Sequence, residues 1–101
     1  MANGMTYQRA ILAIGNGDRE RGMQTVFMLA ERLEHARRKH PWPEHTPNAF
    51  AAYRALVEEI MEINLALCKE TPDRMRDEIV DGMVVLVRMF WEEWRGGRCE
   101  R

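Results

Sequence analysis

Thr71-Pro72 sits between two short acidic segments, and their spacing constrains the fold more than any other feature of the chain. Upstream stands Glu58-Glu59-Ile60-Met61-Glu62, and downstream stands Glu78-Ile79-Val80-Asp81. Residues three or four apart on a helix share a face, with Cβ atoms about 5–6 Å apart. Glu59 with Glu62, and Glu78 with Asp81, are therefore two carboxylate pairs on two helix faces. Residue 70 lies midway between the pairs. Thr as N-cap and Pro at the first helical position are helix-start signals. A chain that reverses there into an antiparallel hairpin brings both pairs to the same level. Four carboxylates facing one groove raise each other's pKa and call for a counter-charge. A hard divalent cation supplies one, since magnesium takes oxygen ligands from a few carboxylates, water and substrate phosphates.

The rest of the sequence is helical in pattern. Met23, Val26, Phe27, Ala30 and Leu33 recur at three- and four-residue steps, which predicts an amphipathic helix over about residues 22–39. Its basic end, Arg37-Arg38-Lys39-His40, suits a C-terminal helix dipole, and Pro41-Trp42-Pro43 stops it. A second helix is expected over about 48–69. Phe50, Tyr53, Leu56, Val57, Ile60, Met61, Ile63, Leu65 and Leu67 cover more than one of its faces. A third, over about 73–94, carries Met75, Ile79, Met83, Leu86 and Phe90 as a stripe that Val84, Val87 and Trp91 broaden. Residues 1–21 read as an N-terminal arm with a short helix over Thr6–Ile14, ended by the turn cluster Gly15-Asn16-Gly17-Asp18. That turn lacks the strand, lysine and helix context of a phosphate-binding loop. Residues 96–101 read as a tail. The fold class is all-α, with no strand-like alternation and no internal repeat. Helices apolar on most sides need partners on most sides. Three main helices do not supply them, so a homo-oligomer, dimer or tetramer, is expected to complete the bundle.

The 101 residues suit one domain. Acidic residues number 16 and basic residues 15, so no global field favours nucleic acid or a membrane surface. Cys68 and Cys99 are too few for a disulfide framework and read as free thiols. No signal-peptide pattern opens the sequence, and the apolar run Met83–Val87 is far short of the ~20 residues that span a bilayer. A cytoplasmic protein is expected.

The acid pairs have a bland reading, as solvated helix faces rich in glutamate. Glu31 and Glu34 share the spacing but have no mate elsewhere in the chain. The 58–81 cluster differs because it is paired across a turn and set in apolar helices, where charges are normally paired or metal-bound. A ferritin-like di-iron site needs Glu-x-x-His on two helices, and no glutamate here has histidine three residues on. His35, His40 and His45 lie on a helix end and a loop, and no Cys/His spacing suits structural zinc. An oxygen-only set points to Mg2+, with Mn2+ as the alternative.

EExxE, a gap of fifteen residues and then ExxD resembles the signature of the MazG-like all-α nucleoside triphosphate pyrophosphohydrolases. Their superfamily includes the dimeric dUTPases and the phosphoribosyl-ATP pyrophosphohydrolases. The resemblance covers about residues 23–94. It implies a MazG-like helical bundle that cleaves a (deoxy)nucleoside triphosphate between the α and β phosphates, giving the monophosphate and pyrophosphate, as in house-cleaning of non-standard nucleotides. Carried over by position, Glu59, Glu62, Glu78 and Asp81 match the metal-binding acids. Glu62 is the first choice for general base, with Glu58 or Glu59 as alternatives. Arg37, Arg38 and Lys39 are candidates for phosphate contact, Trp42 for stacking on the base, and Arg88 for phosphate or for an ion pair with the acids.

The sequence also departs from the family. Met61 and Val80 stand where members often carry a small residue, and Gly82 follows Asp81, where it suggests a close approach by a helix or ligand. The basic, Asn-containing segment that follows the third helix in many members has no counterpart before Arg101. Two alternatives therefore stand beside hydrolysis of a nucleoside triphosphate: phosphoribosyl-ATP hydrolysis, and a non-catalytic helical interaction module.

Overall fold

A computed structural model describes residues 4–69 and 71–96. The first residues of the expected arm, Glu70, Cys99 and the expected tail beyond Gly96 lie outside that description. The order is α1 Tyr7–Ile14, α2 Arg19–Lys39, α3 Ala49–Cys68, α4 Pro72–Phe90 and a 3-10 turn Glu93–Arg95. The described residues contain no strand, so the chain is all-α. Two compact units share it, Met1–Glu31 and Arg32–Arg101.

In the first unit the Thr6 hydroxyl accepts from the Arg9 N–H and starts α1. The turn that ends α1 places Asn16 at φ 54° and Gly17 at φ 89°, the left-handed region where glycine and asparagine are tolerated best. Asp18 then accepts from the Arg21 N–H at 3.0 Å. This cap starts α2 at Arg19 and not near residue 22, because Asp18 is an N-cap residue type already in place. Gly22 is the contact point between α1 and α2. A Cβ built there would overlap the Ile11 carbonyl oxygen.

The second unit holds the candidate site. Asn48 caps α3 through the Ala51 N–H at 2.8 Å. A short link after Lys69 reverses the chain, and α4 packs along α3. Thr71 occupies the N-cap position of α4 but makes no side-chain cap there. Its hydroxyl donates back to the Ala66 carbonyl at 3.3 Å, as does its own N–H at 3.2 Å. The residue read from sequence as a start signal thus also fastens the end of α3, whose last carbonyls lack partners within the helix.

Among the described residues, three long helices and the short α1, expected over Thr6–Ile14, are joined by a 3-10 turn that was not expected. The last long helix stops at Phe90 and not at 94. Glu92 adopts φ 52° and Gly96 φ 80°, so the chain leaves α geometry and Glu93 turns back toward Arg88 and Arg37. The apolar core is small, formed by Ala52 and Ala66 on α3 and Val80 and Val84 on α4. Small residues let the two helices approach closely. They also leave the large apolar residues outside: Phe50, Tyr53, Ile60, Met61, Leu65 and Leu67 of α3, and Leu86 and Phe90 of α4, are exposed within the chain. A helix apolar on most sides was expected to be buried on most sides. In this chain α3 is not.

Candidate metal centre

Glu59 leaves α3 on the side that meets α4. Its Cβ lies 3.9 Å from the position a Cβ would take on Gly82, one residue beyond Asp81. That register brings oxygens of Glu59, Glu78 and Asp81 within 4.8 Å of one another. All three side chains are half-buried. Among the described residues they form the one such group of three or more metal-ligating side chains. Glu31 and Glu34, which share the spacing, are exposed and belong to no such group.

The electrostatics follow from the crowding. Burial pushes the Glu59 carboxyl up, and the charges of Asp81, Glu78, Glu62 and Glu58 push it further, to about 7. A carboxylate in low dielectric beside like charges favours its neutral form. A divalent cation at the same place reverses that preference, because it brings positive charge to Glu59, which among the described residues has no ion-pair partner. Three carboxylates and no nitrogen or sulfur donor suit a hard ion that keeps several waters, such as Mg2+ or Mn2+. The donor set fits such an ion.

Glu62 does not join the trio. It lies on α3 one step beyond Glu59, is exposed, and reaches Glu59 only through its charge. Glu58 is likewise exposed and acts on Glu59 at a distance. The hairpin level read from the spacing therefore brings three of the four acids together and leaves the fourth at the rim. Gly82 is buried at the α3 contact, yet a Cβ there would sit 3.8 Å from Ile63 Cδ1, an ordinary contact. The close approach expected at Gly82 does not depend on its lacking a side chain.

Among the described residues two cations touch the acids, and neither was among the expected site residues. Arg32 of α2 donates from Nη1 to Asp81 Oδ1 at 3.1 Å and from Nη2 to Asp77 Oδ1 at 2.9 Å. Arg74 lies 3.7 Å from Glu78 along α4. The Arg74 pair follows from i,i+4 spacing, which sequence can show. Arg32 has no local signature, since its partners are 45 and 49 residues away.

Three of the residues expected at the substrate, Arg37, Trp42 and Arg88, meet partners within the chain near the end of α2. Arg88 is buried and donates to Glu93 at 2.7 Å, to the His40 carbonyl at 3.0 Å and to the Ala36 carbonyl at 3.5 Å. Its guanidinium lies 4.5 Å from the centre of the Trp42 ring. Its carboxylate partner is thus Glu93 and not the acid trio, and its other bonds close the C-terminal carbonyls of α2. Trp42 is half-buried beneath that guanidinium, a cation–π arrangement. Arg37 donates to Glu93 at 2.9 Å, while Arg38 and Lys39 are exposed. Burial pushes the Glu93 carboxyl up, but the hydrogen bonds and charges of Arg37 and Arg88 outweigh it and hold Glu93 below its ordinary value.

No described helix is long and apolar enough to cross a membrane. No family model, curated protein or solved structure matches the chain.

Proposed function

We propose that the chain is a Mg2+-dependent nucleotide pyrophosphohydrolase whose ion is held by Glu59, Glu78 and Asp81. The carrying observation is the approach of these three carboxylates, from two helices, to within 4.8 Å. Their order along the chain is the EExxE and ExxD pattern that resembles the MazG-like enzymes. A bound divalent ion would neutralise phosphate charge and lower the pKa of a coordinated water. The chain's own part is to hold the ion and to take a proton. Glu62, exposed and outside the trio, would accept the proton of an attacking water without giving up a ligand. The balanced reaction adds one water to a nucleoside triphosphate and yields the monophosphate and pyrophosphate. Mn2+ suits the same oxygens.

The test is a panel of nucleoside triphosphates with Mg2+, read as pyrophosphate release, beside Mn2+ titration by calorimetry. Turnover on at least one substrate is expected. Glu62→Gln should remove most turnover while keeping Mn2+ affinity within a few-fold. Asp81→Asn should lower both, with Mn2+ affinity falling about ten-fold or more. Full turnover in both variants would refute the site.

A second reading, a non-catalytic helical module that assembles with copies of itself, is favoured by the exposed apolar residues of α3 and α4. It predicts assembly without turnover and without a Mg2+-dependent rise in melting temperature.

A further inference from the structure

Arg32 divides its guanidinium between two carboxylates of α4, one N–H to Asp81 Oδ1 at 3.1 Å and one to Asp77 Oδ1 at 2.9 Å. The division is informative. A guanidinium that serves only as a salt bridge gains most by closing both N–H groups on one carboxylate. Here each acid receives one N–H, so Asp81 is gripped at a single oxygen and its other oxygen accepts from neither guanidinium nitrogen. Asp77 precedes Asp81 by one helical turn and is more exposed than Asp81 or Arg32. It is not one of the three clustered acids. Its bond to Nη2 fixes the guanidinium from the solvent side.

We propose that Arg32 is a positioning residue for the metal centre: held by Asp77, it sets the orientation of the Asp81 carboxylate toward the oxygens of Glu59 and Glu78. The inference rests on the reading of those acids as an ion site. Outer partners of ligating carboxylates characteristically fix ligand geometry in this way, and their loss costs about 10–100-fold in metal affinity. Arg32 acts through Asp81 and touches no reacting atom.

The sign of one substitution separates positioning from plain electrostatics. Removing a positive charge beside a cation site should, by charge alone, tighten cation binding. Removing a positioning group should weaken it. Mn2+ titration by calorimetry of the whole chain is expected to show about ten-fold weaker binding for Arg32→Met than for the wild type. Arg32→Lys should recover part of that loss. Asp77→Asn should weaken binding in the wild-type background and have no effect in the Arg32→Met background, because its influence passes through the guanidinium. Circular dichroism and melting in chelator confirm that each variant is folded. Equal or tighter Mn2+ binding by a folded Arg32→Met variant overturns the positioning role while leaving the ion site intact. The role is equally overturned by an Asp77→Asn effect that persists without Arg32. If the wild type takes up no Mn2+ but keeps its fold, the ion site itself fails and the inference falls with it.

Discussion

Glu59 of α3 and Asp81 of α4 present carboxylate oxygens within 4.8 Å of each other, and Asp81 is the strongest of the charges that raise Glu59. Burial, the larger cause, and these charges together hold the Glu59 proton up to about pH 7, against 4.5 for an ordinary carboxyl. More protons bind to the folded than to the unfolded state in that interval, so stability falls as pH rises through it. In chelator, the melting temperature of the wild type minus that of Glu59→Gln should be highest near pH 4.5. The difference should decline steadily to about pH 7 and then level off. A difference that is flat across this window would mean that Glu59 does not face the other acids. Added Mg2+ should reverse the loss at pH 8 in the wild type alone.

Glu93 carries the opposite sign. Its carboxyl is held low by Arg37 and Arg88, so its contribution to stability is present above about pH 4.5 and is lost as pH falls through its folded value. Replacing it removes the charge partner of the buried Arg88. Glu93→Gln should cost about 3 kcal/mol in urea unfolding at pH 7. Replacing Arg88 and Glu93 together with apolar residues should cost less than the sum of the two single changes. Additive losses would show that the two groups do not stabilise each other.

Two glycines inside helices should respond in opposite directions. Gly82 has room for a methyl group, with its nearest neighbours at 3.8 and 3.9 Å. Gly82→Ala should stabilise the fold by about 0.5–1 kcal/mol, because alanine loses less backbone entropy in a helix. Gly22→Ala forces a methyl group into the Ile11 carbonyl and should destabilise by about 1–3 kcal/mol. Chemical denaturation of both variants measures the contrast.

The apolar residues left outside the α3–α4 pair should be covered by further copies of the chain. Leu65 and Leu67 are 52% and 58% exposed, and Phe90 is 76% exposed. Apolar surface of that extent normally marks an interaction site. Sedimentation at micromolar concentration should show a dimer or tetramer, and Leu65→Lys with Leu67→Lys should shift it toward monomer. A wild type that sediments only as an 11.9 kDa species would remove the oligomer.

Much of this fold was legible because its signals are local. Apolar spacing, the proline stop after Lys39 and the turn at Thr71-Pro72 each act over a few residues. The level of the acid segments could also be read, since a short reversal fixes which positions of two helices face each other. Which acids converge could not. Glu59 and Glu62 share a helix face by spacing, yet the side that meets Gly82 belongs to Glu59, and Glu62 lies at the rim. Arg88 shows the same limit. Its position along α4 suggested the acids, while the backbone turn at Glu92 brought Glu93 to it from the other direction.

The sequence by itself determined an all-helical chain, a reversal at Thr71-Pro72 and two acid segments meeting across it, because helix periodicity and capping are short-range properties. Only the tertiary structure decided that three carboxylates converge and not four, that Arg32 grips Asp81 from 49 residues away, and that Arg88 closes the end of α2. Those outcomes depend on how each helix is rotated against its neighbour. Between α3 and α4 the buried residues at that contact are Ala52, Ala66, Val80 and Val84, and no spacing within a single helix records how they meet.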